Sequence, residues 1–76
     1  MANPETLDTI YTFIAEYITR KGVSPSQREI AEGCYIALST VSRYLDLLEM
    51  QERIQREPGM AHSIHLVEVD RQIDSR

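Results

Sequence analysis

Between Leu38 and Leu45 the chain carries Ser39, Thr40, Ser42 and Arg43, four polar side chains packed into one short stretch. Short hydroxyls donate to or accept from nearby groups, and a guanidinium offers a planar fork of donors that matches two adjacent acceptors at once. Val41, Tyr44, Leu45 and Leu48 recur through the same stretch at three- and four-residue steps, the period of a helix with one apolar side. The polar residues then lie on the opposite side, at the helix start. Reading base edges in a DNA major groove requires such a set, with arginine bridging the two acceptors of guanine for about 1–3 kcal/mol of discrimination. Free amides at the same helix start favour a phosphate. The alternative is that Ser39 caps the helix and Thr40, Ser42 and Arg43 form a solvated face, because serine and threonine are favoured at any helix start.

The elements that must position these residues can be read on either side of them. Asn3-Pro4 supplies a capping side chain followed by proline at the first helical position. Leu7, Ile10, Tyr11, Ile14, Tyr17 and Ile18 then form one helical stripe, and Arg20-Lys21-Gly22 suits a helix end, which places a first helix over residues 4–21. Val23-Ser24-Pro25 is an extended connector. Ser26 and Glu29 match a capping box opening a short second helix that buries Ile30, Ala31 and Cys34. Residues 33–37 break the pattern and are expected to hold a turn, Ser39 to cap the third helix, and that helix to end near residues 50–51. Beyond it, Ile54, Ile64 and Leu66 fit strands, and Pro58-Gly59 is a turn signal, giving a hairpin of residues 53–57 and 62–68. Three helices and then a two-stranded hairpin is the order of a winged helix-turn-helix, an α+β fold that is mostly α. It occupies residues 1–69 as one domain, with a polar, frayed tail at 70–76.

With the elements laid out, Ser24-Pro25-Ser26-Gln27-Arg28-Glu29-Ile30-Ala31, Leu38-Ser39-Thr40-Val41-Ser42-Arg43-Tyr44-Leu45, and Arg56-Glu57-Pro58-Gly59 with Ser63-Ile64-His65-Leu66 together resemble the DNA-binding domain of LexA-type repressors. The resemblance covers about residues 5–67. It implies a winged helix with residues 37–50 as the recognition helix, a wing around Pro58-Gly59-Met60-Ala61, and the setting of a prokaryotic or phage-type regulator. Two positions depart from the pattern: the turn carries Tyr35 where glycine is usual, and the usually basic wing tip has Met60 and Ala61. LexA-type repressors also carry a self-cleaving serine-lysine domain, for which 76 residues leave no room.

Around the base-reading candidates, Ser26, Arg28, Arg56, Gly59, Met60, His62 and His65 are the candidates for contact with the DNA backbone or for the wing. Arg56, nearer the wing than Arg53, is the better of those two, and Arg28 is either a phosphate contact or a solvated charge. Tyr35 is expected to close the core, the alternative being a phosphate contact through its hydroxyl. Tyr44 lies on the apolar side of its helix and reads as structural. Ser63 and His65 share a strand face, with His65 exposed.

Other chemistries find little support. His62 and His65, three apart on a strand, point to opposite faces and do not share a metal ion. Cys34, the single cysteine, forms no internal disulfide, reads as packing, and fits a reducing cytoplasm. No serine is paired with a histidine or lysine at a catalytic spacing, and Glu29 is occupied by its cap, so no enzyme is expected. No cofactor, membrane or small-molecule partner is expected either. The formal net charge of −4 sits awkwardly with nucleic acid. The acids concentrate in the helices and tail (Asp8, Glu16, Glu32, Glu49, Asp70), whereas residues 51–66 are balanced by Arg53 and Arg56. Two readings follow: a sequence-specific binder of double-stranded DNA acting as a small transcriptional regulator, monomeric or weakly dimeric and paired on DNA, or an acidic winged helix that binds a protein or mimics DNA.

Overall fold

The computed structural model describes residues 3–57 and 62–67. The expected wing tip at 58–61 and tail at 70–76 lie outside them.

Helix α1 spans Pro4–Lys21. The Asn3 side chain accepts from the Glu5 amide at 2.8 Å, proline sits in the first turn, and Gly22 stops the helix at φ 78°, its amide donating to the Ile18 carbonyl. Its apolar stripe puts Leu7, Ile10 and Ile14 in the core. Helix α2, Gln27–Cys34, opens on the Ser26–Glu29 capping box, each residue's side chain bonding the other's amide. Helix α3, Leu38–Met50, buries Val41, Tyr44, Leu45 and Leu48. Strands β1 (Ile54–Gln55) and β2 (His65–Leu66) pair antiparallel, Ile54 opposite Leu66 and Gln55 opposite His65.

One core joins all five elements: Ile10, Ile14, Ile30, Val41, Leu45 and Leu48 are wholly enclosed, with Ile54 and Ile64 from the hairpin closing one end. Each such side chain contributes about 1.5–3 kcal/mol relative to exposure. The Tyr44 hydroxyl accepts from the Asn3 amide at 2.9 Å, tying the start of α1 to α3. The architecture is three helices and a two-stranded sheet in the expected order, a mostly helical winged helix-turn-helix.

Three local expectations are corrected. Gly33 is helical, not part of the turn, which starts only at Tyr35. A Cβ at Gly33 would overlap the Phe13 ring, so glycine here lets α1 and α2 approach. Ser39 does not cap α3: the cap position is Ala37, which has no side-chain acceptor, and Ser39 lies inside the first turn. The strands are shorter than 53–57 and 62–68. Beyond the ladder, Ser63 replaces a backbone pair with its hydroxyl, accepting from the Glu57 amide and donating to the Glu57 carbonyl, each at 3.2 Å. Ser63 is therefore buried while His65 is exposed, and the two do not share an open face.

Candidate nucleic-acid interface

Helices α2 and α3 form the helix-turn-helix, and the backbone between them takes an unusual path. Tyr35 ends α2 at φ 60° and ψ 45°, the left-handed region that glycine enters freely. The Ile36 amide then donates back to the Ala31 carbonyl at 3.0 Å, and Ile36 and Ala31 both pack on the core. Tyr35 thus follows the glycine path without being glycine. Its ring does not close the core, as the sequence suggested; it is 92% exposed, because the turn sends Ile36 inward in its place.

The first two turns of α3 carry the base-reading candidates together. Ser39 and Arg43 are exposed, and Thr40 and Ser42 are half-buried beside the inward Val41 and Tyr44. Leu38, 45% exposed, begins the helix. There is no acid in the first turn and no side-chain cap, so the leading amides of α3 have no side-chain acceptor at the cap position. Arg43 forms no ion pair among the described residues.

Further along α3, Asp46 and Glu49 would turn an acidic face toward any anion. Arg56 answers them from the end of β1: its guanidinium donates to Asp46 at 2.5 Å and to Glu49 at 2.9 and 3.1 Å. Burial opposes its charge, but the hydrogen bonds to Glu49 and Asp46 outweigh that and hold the proton more firmly than usual. Arg56 is therefore engaged with the helix, and the backbone-phosphate contact expected of it would have to compete with Asp46 and Glu49. Arg53 is engaged too, 3.6 Å from Asp8 and stacked over the Tyr11 ring at 4.4 Å.

At the start of α2, Arg28 is exposed and unpaired among the described residues. Ser26 is committed to its cap. Glu29 collects the Ser26 amide, the Tyr17 hydroxyl at 3.2 Å and, 4.0 Å away, the His62 ring. The Ser26 amide is the main reason its carboxyl lies below the usual range, with Tyr17 adding to it against partial desolvation. Tyr17 is pushed up, first by desolvation and then by its hydrogen bond to that carboxylate.

The hairpin is fastened to the connector through Ser24 and His62, a link that the spacing did not reveal. The Ser24 hydroxyl accepts from the Ile64 amide at 3.1 Å. The Ser24 carbonyl accepts from His62 Nδ1 at 2.9 Å. His62 is thus half committed to holding the hairpin root, while His65 remains exposed. Gly59 and Met60 fall outside the described residues. Among those residues no helix is long and apolar enough to cross a membrane.

No family model matches the chain. It is 39% identical over 74 residues to the LexA repressor of Xylella fastidiosa (strain M12), covering 92% of this chain and 35% of that protein. Similarity to the LexA repressor of Clostridium tetani is 36% over 69 residues, 90% of this chain and 34% of that protein. For the LexA repressor of Bacillus licheniformis it is 38% over 65 residues, 84% and 31%. The chain spans about a third of the length of the curated relatives it matches. Three helices followed by an antiparallel strand pair, with similarity over most of the chain to about a third of each LexA repressor, make this a winged helix-turn-helix module that is similar to part of those repressors.

Proposed function

We propose that the module binds double-stranded DNA at a specific sequence, as the reading unit of a transcriptional regulator. The observation that carries this is Arg43: exposed and, among the described residues, unpaired one turn along from Ser39, on the outer face of a helix whose neighbouring acids Arg56 already neutralises. With α3 in the major groove, Arg43 bridges guanine, while Ser39, Thr40 and Ser42 meet adjacent base edges. The uncapped start of α3 and Arg28 on α2 hold phosphates, which sets the register. The hairpin, with Gly59, Met60, His62 and His65, runs beside the flanking backbone, and residues 1–69 act as the binding unit.

One recognition helix covers only a few base pairs, so two copies on a pseudo-palindrome supply useful specificity. The free module is a monomer or weak dimer; a tight, concentration-independent dimer in sedimentation contradicts this.

Affinity measured against salt tests the binding mode. Log affinity falls with log salt, and because Arg28 is a cation held on phosphate, Arg28→Ala makes the slope shallower by about one. Folded protein that binds no duplex even at low salt overturns the proposal.

A further inference from the structure

Tyr35 is a cost to the fold with no visible return. A left-handed backbone disfavours any side chain bearing a Cβ. Side chains held this way normally recover the cost through packing or hydrogen bonding. Tyr35 recovers neither: its ring is 92% exposed, and among the described residues its hydroxyl and ring have no partner. Nor can it retreat inward, since Ile36 occupies the inward direction and is pinned there by the Ala31 carbonyl. The turn therefore holds a large aromatic with a polar tip out in solvent, between the helix that carries Arg28 and the helix that carries Arg43. The local surface suits an anion: Tyr35, Ala37 and Leu38 bring no charge, and the first turn of α3 has no acid. A phenol is neutral, reaches farther than serine, and donates well to a phosphate oxygen.

We infer that Tyr35 is a DNA-contacting residue whose hydroxyl donates to a backbone phosphate beside the bases that α3 reads. The inference rests on the proposed function above. It assigns a positioning contact to the one turn residue that departs from glycine.

The test uses a duplex enriched by the wild-type protein, with Tyr35→Phe and Tyr35→Gly measured beside it for affinity and for melting temperature. Tyr35→Phe keeps the ring and the melting temperature and binds about tenfold more weakly, the size of one hydrogen bond to a charged group. Tyr35→Gly melts higher than wild type and binds at least as weakly as Tyr35→Phe. Both losses are the same on unrelated duplexes, and neither changes the salt slope, because a neutral hydroxyl displaces no counterion. Tyr35→Phe with wild-type affinity overturns the contact while leaving α3 as the reader. A wild-type protein that is folded and binds no duplex overturns the reading of α3, and this contact with it.

Discussion

Two of the three helices end on residues that pay for their backbone. Tyr35 after α2 and Glu52 after α3 sit at φ 60° and 61°, where Gly22 after α1 sits at 78° without strain. At Glu52 the Arg53 amide reaches the Leu48 carbonyl and the Glu52 amide the Glu49 carbonyl, both at 2.9 Å, a stop that glycine normally supplies. Tyr35→Gly and Glu52→Gly should each raise stability by about 0.5–1 kcal/mol, the strain relieved exceeding the added freedom of the unfolded chain. Urea denaturation checks this. Loss of stability in both would show that the turns are held by side-chain contacts instead. Glu29 adds a pH dependence. Its carboxyl is held below the ordinary range in the fold, so its contribution is whole above about pH 4.3 and disappears as pH falls through the depressed value. Glu29→Gln should flatten the acid limb of stability against pH, and an unchanged limb would assign acid sensitivity elsewhere. At this scale the sequence was legible where one residue type has one local partner, as in the Asn3 cap and the Ser26–Glu29 box. It misled at Ser39, because serine is favoured at a helix cap and alanine is not, yet α3, which buries Val41 and Tyr44, starts two residues earlier with Ala37 at the cap. Tyr35 misled because burial is the commoner fate of an aromatic, while the glycine expected at that position was the better signal.

Between elements, the hairpin is positioned by the Ser24 hydroxyl and by the Arg56 guanidinium. The Ser24 hydroxyl is buried with the Ile64 amide as its donor, so Ser24→Ala leaves that amide unpaired at a cost of about 1–3 kcal/mol. Calorimetry should show the loss, and a wild-type melting temperature would mean that the hairpin root is held otherwise. Arg56 fixes the same hairpin to α3 while cancelling its acids. Its carboxylate partners are substantially exposed, so Arg56→Met should cost less than about 1 kcal/mol in stability. It should nevertheless weaken DNA binding, since Asp46 and Glu49 would then face phosphate uncompensated; unchanged affinity would exclude that electrostatic role. The periodicities announced all five elements, but not these links. Partners seven and ten residues from Arg56, or forty from Ser24, leave no trace in local spacing. Strand lengths were overestimated for a related reason: alternation cannot reveal that Ser63 ends the ladder with its side chain.

Taken whole, the molecule's acidic composition is compatible with the proposed DNA ligand through the placement of its charges. Its net charge is −4, yet two arginines are engaged by acids that would otherwise repel the proposed DNA ligand, and among the described residues Arg28 and Arg43 stay unpaired on the helix-turn-helix. A single core under these elements makes the placement rigid: Leu45→Ala, wholly enclosed, should cost about 3 kcal/mol, a large share of the stability of so small a domain. The helix-turn-helix and its polar face were legible because helical periodicity sorts inward from outward residues. Which arginines remain free was not, because pairing is settled only by the fold. The most direct test of the central claim is enrichment of a random duplex library on the purified protein at moderate salt, run beside Arg43→Ala. The expected result is a recurring motif that Arg43→Ala relaxes at one base pair, with a loss of about 1–3 kcal/mol on the selected site. A motif that Arg43→Ala leaves intact, or no motif from folded protein at any salt, would contradict sequence reading through α3.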